Sequence, residues 1–128
     1  MNSRAKGKAG ELELAVTLRS YGYEEARRGQ QYQGGTESPD VIGVPGVHLE
    51  CKRVEAGNLY DWYDQAVHDA GSRMVPVVAH RRNGKPHKPR PWVVILSLHD
   101  FLLMRRELEI HRARQGAPWP PQPAENPF

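Results

Sequence analysis

The sequence predicts an α/β domain, a mixed central β-sheet flanked by helices in the order α-β-β-β-α-β-β-α. Three observations carry this expectation. Short apolar runs of strand length alternate with segments of helical period. Gly, Pro and Asn residues fall between these runs as stop and turn signals. And 128 residues with 38% hydrophobic and 26% charged side chains suit one modest core.

The elements follow in order. A first helix is expected over about residues 8–20, stopped by Gly22 in "YGY". "YEEARRG" reads as a short strand, and the polar, Gly-rich "QQYQGGTES" (residues 30–38) as a loop. Strands are expected over residues 40–44 and 47–54, joined by a Pro-Gly turn. A second helix spans about residues 59–70, with Asn58 as N-cap and Gly71 as stop. "MVPVVAHRR" and "WVVILS" supply two more strands, and the basic "NGKPHKPRP" between them forms a projecting hairpin loop. "SLHD" resembles a capping box, so a third helix starts after Ser97 and runs to about Arg114. It carries Phe101, Leu102 and Leu108. The Pro-rich end has no apolar period, which divides the chain into a domain of residues 1–114 and a tail of 115–128.

Composition excludes several function classes. No apolar run approaches the ~20 residues of a membrane span. The first residues lack an apolar h-region, so a cytoplasmic protein without membrane partners is expected. One cysteine rules out a disulfide framework and any multi-cysteine zinc site. The net charge of +3 is modest, but its distribution is uneven. Residues 81–90 hold Arg81, Arg82, Lys85, Lys88 and Arg90 with no acid. Lys6 and Lys8 form a second basic group and Arg27-Arg28 a third. Each alone reads as a solvated surface. Together, beside a set of carboxylates, they point to phosphate binding and permit a nucleic-acid partner.

The acids sit where a core would normally forbid them. Strand side chains alternate, so Glu50 and Lys52 share one face while Leu49 and Cys51 share the other. A Glu-x-Lys pair on a strand with one wet face is common. Asp40, after Pro39, opens the preceding strand; it is either an exposed turn residue or one that the short turn draws beside Glu50. Two carboxylates held close repel unless a cation lies between them, and hard oxygen ligands suit Mg²⁺. Glu11 adds a third acid. It lies on the apolar arc of the first helix with Leu14, Ala15 and Leu18, whereas Glu13 lies opposite and reads as solvated. An acid near a helix start also has a simple electrostatic role. On the second helix the apolar arc holds Leu59, Tyr63, Ala66, Val67 and Ala70, flanked by Trp62 and Gln65. Gln65 is either a surface residue or one aimed at the acids, with Trp62 and Tyr60 available to nucleic acid. The six histidines show no metal spacing, and the Pro-broken "PHKPRP" argues against an HNH-type nuclease.

Pro39-Asp40 followed by Glu50-Cys51-Lys52, in this element order, resembles the PD-(D/E)XK nuclease superfamily. The start, "RAKGKAGELELAVTLRSYGY", resembles the first helix of archaeal-type Holliday junction resolvases and their small phage-encoded relatives. The likeness covers about residues 4–106. It implies a restriction-endonuclease-like core and Mg²⁺ or Mn²⁺ held by Glu11, Asp40, Glu50 and the backbone carbonyl of Cys51. Lys52 then assists the attacking water, and Gln65 matches a glutamine found after this strand in some branches. Thr36 or Ser38 matches a loop serine that approaches DNA. The resemblance also implies a homodimer that cuts four-way or other branched DNA. Two alternatives stay open: a related nuclease for restriction, packaging or repair, and a non-catalytic DNA-binding module of the same fold.

Overall fold

The computed structural model describes residues 3–29 and 39–117, with side chains from Gly7 onward. The expected Gly-rich loop with Thr36 and Ser38, the Lys6 side chain and most of the tail (118–128) lie outside the described residues. The element order is the expected one: α1 (Ser3–Ser20), β1 (Arg27–Arg28), β2 (Val41–Ile42), β3 (Val47–Lys52), α2 (Leu59–Ala70), β4 (Val75–His80), β5 (Val93–Ile95) and α3 (Leu98–Arg114). The fold is a mixed α/β arrangement with an open five-stranded sheet in the order β1-β2-β3-β4-β5. Only β3 and β4 run parallel, and α2 makes the crossover between them. The other neighbours are antiparallel.

The chain divides into two compact units, Met1–Ile95 with the sheet and Leu96–Phe128 with α3. In the second unit, Ser97 caps α3 by accepting the Asp100 N–H at 3.0 Å, one half of the expected capping box. No residue of α3 is buried, and Phe101, Leu102, Leu103 and Met104 are all exposed. Among the described residues, no helix is long and apolar enough to cross a membrane.

Within the first unit the two sheet faces follow from register and alternation. Val41 pairs with Leu49, Leu49 with Val77, and Cys51 with Ala79, so these side chains share a face. Helix α1 covers it. A Cβ added at Gly10 would lie 2.4 Å from the Cβ of Arg53 and 3.7 Å from Cys51 Sγ, so glycine is what lets this helix approach β3 so closely. Leu14, Ala15, Val41, Leu49, Val77 and Ala79 are buried, and each larger aliphatic side chain contributes about 1.5–3 kcal/mol.

The opposite face carries His48, Glu50 and Lys52, and α2 packs over β3 and β4 there. The rings of Trp62 and His80 meet with centroids 4.9 Å apart. Asn58 caps α2 by accepting from the N–H groups of Tyr60 and Asp61, as expected. The inward arc of α2 differs from the expected one. Ala66 is fully buried, and Trp62 and Asp69 are half-buried beside it, whereas Leu59 and Val67 are exposed. A small residue at the centre lets the helix lie close to the sheet, and the arc turns by about one position. Helix α1 also starts five residues earlier than expected, at Ser3 rather than Lys8, because Arg, Ala and Lys outweigh Gly7 as helix formers.

Candidate metal and nucleic-acid site

Strand β2 positions the first acid. The Asp40 N–H donates to Leu49 O at 2.9 Å, and the Asp40 carbonyl accepts from Gly29 N–H at 2.8 Å. This pins Asp40 beside the middle of β3. Its Oδ2 then accepts the Cys51 N–H at 2.8 Å. Glu50, on the neighbouring strand, shares a side-chain hydrogen bond with Asp40. Asp40 and Glu50 therefore lie together, and Lys52 follows Glu50 on the same face.

This face is not a wet one. Glu50 is only 4% exposed and His48 only 1%. Burial first, then the charge and hydrogen bond of Asp40 and the charge of Asp69, together raise the Glu50 carboxyl from its ordinary range to about 8, against the pull of Lys52. The Glu50 carboxyl then keeps its proton near neutral pH unless a cation replaces it. His48 Nε2 and Glu50 Oε1 share a hydrogen bond at 2.7 Å. Burial lowers the His48 pKa, opposed by Asp69 and Asp40, which favours the neutral ring. Among the described residues, His48, Glu50 and Asp69 form a group that could hold a metal ion. One ligand atom from each lies within 4.8 Å of the others.

Two members of this group, His48 and Asp69, were not expected. His48 precedes Glu50 by two residues, so the alternation that places Lys52 on the Glu50 face also places His48 there. Asp69 carries no such signal, because the register between α2 and β3 is not written in a local pattern.

The other expected residues divide. Glu11 does not join a close-set group with Asp40 and Glu50. Its carboxylate instead accepts from Arg28 Nε at 2.7 Å. Arg28 stands opposite Val41, on the face that α1 covers. Glu13 is not a solvated residue. It accepts from Arg53 Nε at 3.3 Å and also pairs with Arg81, tying α1 to the ends of β3 and β4. Gln65 is exposed on α2, and Asp69, one turn on, is the polar residue turned inward. Trp62 meets the His80 ring at a tilt of 56° rather than standing free, while Tyr60 is 81% exposed. The Cys51 thiol is raised to about 12, first by burial and then by the nearby acids, so it is no nucleophile at neutral pH.

The basic hairpin is present between β4 and β5. Lys85 and Lys88 close its tip with reciprocal backbone hydrogen bonds of 3.2 and 2.9 Å. Arg82, Lys85, Lys88 and Arg90 are exposed, as are Lys8 and Arg27. Arg81 is half-buried. It donates to the Arg90 carbonyl at 2.7 Å and pairs with Glu13, so it braces the loop. No protein-family model matches the chain, and no curated protein and no solved structure matches it either.

Proposed function

We propose that the chain is a metal-dependent DNA endonuclease of restriction-endonuclease-like type that hydrolyses a phosphodiester bond in branched DNA. One observation carries this reading: Asp40 is pinned across from Glu50 on the adjacent strand by its hydrogen bonds to Leu49 and Cys51, with Lys52 two residues on along the Glu50 face. Two acids side by side are costly inside a fold and understandable where a divalent cation lies between them. Asp40, Glu50 and the Cys51 carbonyl would hold Mg²⁺ or Mn²⁺. A bound cation there supplies Lewis-acid stabilisation of phosphate charge and a more acidic water.

The chain's own residues do the rest. The Cys51 N–H fixes the Asp40 carboxylate, so the acid needs little reorganisation when substrate arrives. Lys52 stands beside Glu50, where an ammonium orients water or stabilises charge on the phosphate. Glu11, held by Arg28 on the face that α1 covers, stands outside this ligand set. Arg82, Lys85, Lys88 and Arg90 project from the sheet to grip backbone phosphates, with Lys8 and Arg27 as further contacts. A homodimer fits the two symmetric cuts that a four-way junction requires.

A panel of four-way junction, flap, plain duplex and single strand tests the reading. Mg²⁺-dependent cutting with a preference for the junction is expected. Equal cutting of plain duplex would end the branched-DNA reading and favour a nuclease of another kind. Binding without cutting would favour a non-catalytic module.

A further inference from the structure

We propose that His48, Glu50 and Asp69 form a cation site of their own, selective for a divalent transition ion that accepts nitrogen, such as Mn²⁺, Co²⁺ or Zn²⁺. It lies on the α2 side of Glu50 and uses a donor set different from that of the Asp40–Glu50 pair. Three observations carry it independently of the nuclease reading.

The first is geometry. One donor atom from each of the three residues lies within 4.8 Å of the others, on two packed elements, β3 and α2. Ligands about 2.1 Å from an ion sit roughly 3–3.5 Å from one another. The His48–Glu50 separation of 2.7 Å is just below that spacing. A small opening, without backbone movement, makes room for the ion.

The second is an unmet need. Asp69 Oδ2 is buried and has no hydrogen-bond partner. A buried carboxylate oxygen without a donor is costly to the fold. A closed network of hydrogen bonds among the three side chains would have satisfied it, and a cation does so directly.

The third is donor chemistry. Mg²⁺ takes oxygen and keeps its waters, whereas imidazole suits Mn²⁺, Co²⁺ and Zn²⁺ better. Three protein ligands leave positions for water, the pattern of an open rather than a closed site.

The test uses the full chain, freed of metal with chelator and labelled with ¹⁵N-histidine. Mn²⁺ is titrated and followed by electron paramagnetic resonance. The wild type is expected to bind Mn²⁺ with a resolved histidine-nitrogen coupling. His48→Gln is expected to lose that coupling, and Asp69→Asn to weaken binding at the site at least about tenfold. Asp40→Asn is expected to keep the coupling. Absence of nitrogen coupling in the wild type, or its persistence in His48→Gln, overturns the proposal. Should His48→Gln fail to fold, unchanged Mn²⁺ affinity in the half-exposed Asp69→Asn variant overturns it just as well. Junction cutting in Mg²⁺ without any nitrogen coupling would leave the nuclease reading standing and end this one.

Discussion

The Oδ2 of Asp40 accepts the Cys51 N–H at 2.8 Å, so the acid that opens β2 is clamped to the centre of β3. Asp40→Asn keeps an acceptor and is expected to cost no more than about 1 kcal/mol. Asp40→Ala leaves a part-buried N–H without its partner and is expected to cost about 1–3 kcal/mol. Denaturant midpoints of the two variants check the ordering. Equal stability would mean that the clamp does not hold β2 in place.

Glu50 makes stability depend on pH in metal-free buffer. Its pKa is raised to about 8, so the stability from its proton is present below the ordinary range near 4.5 and lost as pH rises through 8. His48 acts oppositely: its contribution is present above 6.5 and lost as pH falls through its lowered value. Between about pH 6 and about pH 9 the wild type is therefore expected to lose up to a few kcal/mol. Glu50→Gln is expected to flatten that slope, and added Mg²⁺ or Mn²⁺ to raise the wild-type Tm at the alkaline end. Thermal melts across this range give the answer.

Gly57 lies against Trp62, where an added Cβ would sit 2.1 Å from the ring. Gly57→Ala must push the indole away from His80 and loosen α2 over the sheet. A loss of about 1–3 kcal/mol is expected, with altered near-ultraviolet circular dichroism from the displaced tryptophan. An unchanged spectrum would show that the 53–58 turn absorbs the methyl group.

Arg82, Lys85, Lys88 and Arg90 are exposed on one hairpin. If each contacts a phosphate, replacing one with Ala reduces the salt slope of DNA binding by about 0.9. Arg81→Ala is expected to act mainly through stability, because its partners are Glu13 and the Arg90 carbonyl. Binding isotherms at several salt concentrations, beside melts, separate the two classes.

Much of the fold is legible in the sequence, because local signals mark where elements begin and end. Asn58 and Gly71 bound α2, and Ser97 starts α3 at the expected residues. The adjacency of Asp40 and Glu50 also follows from local features, a short turn between two strands. What is not legible depends on what covers each face. Alternation puts Glu50 opposite the core face, yet it cannot tell that α2 closes over it. Glu13 faces outward on an isolated helix, until Arg53 and Arg81 reach it from strand ends 40 and 68 residues away. Glu11 likewise meets Arg28 only through the pairing of β1 with β2. Asp69 is hidden for the same reason, since its neighbours come from a strand 19–21 residues earlier in the sequence.

The most direct test of the central claim is cleavage of a four-way junction in Mg²⁺ by the wild type, Asp40→Asn and Glu50→Gln, with binding measured in parallel. The account predicts that the wild type cuts, and that both variants bind the junction but no longer cut it. Cutting by both variants at the wild-type rate, or a wild type that binds and never cuts, would contradict it.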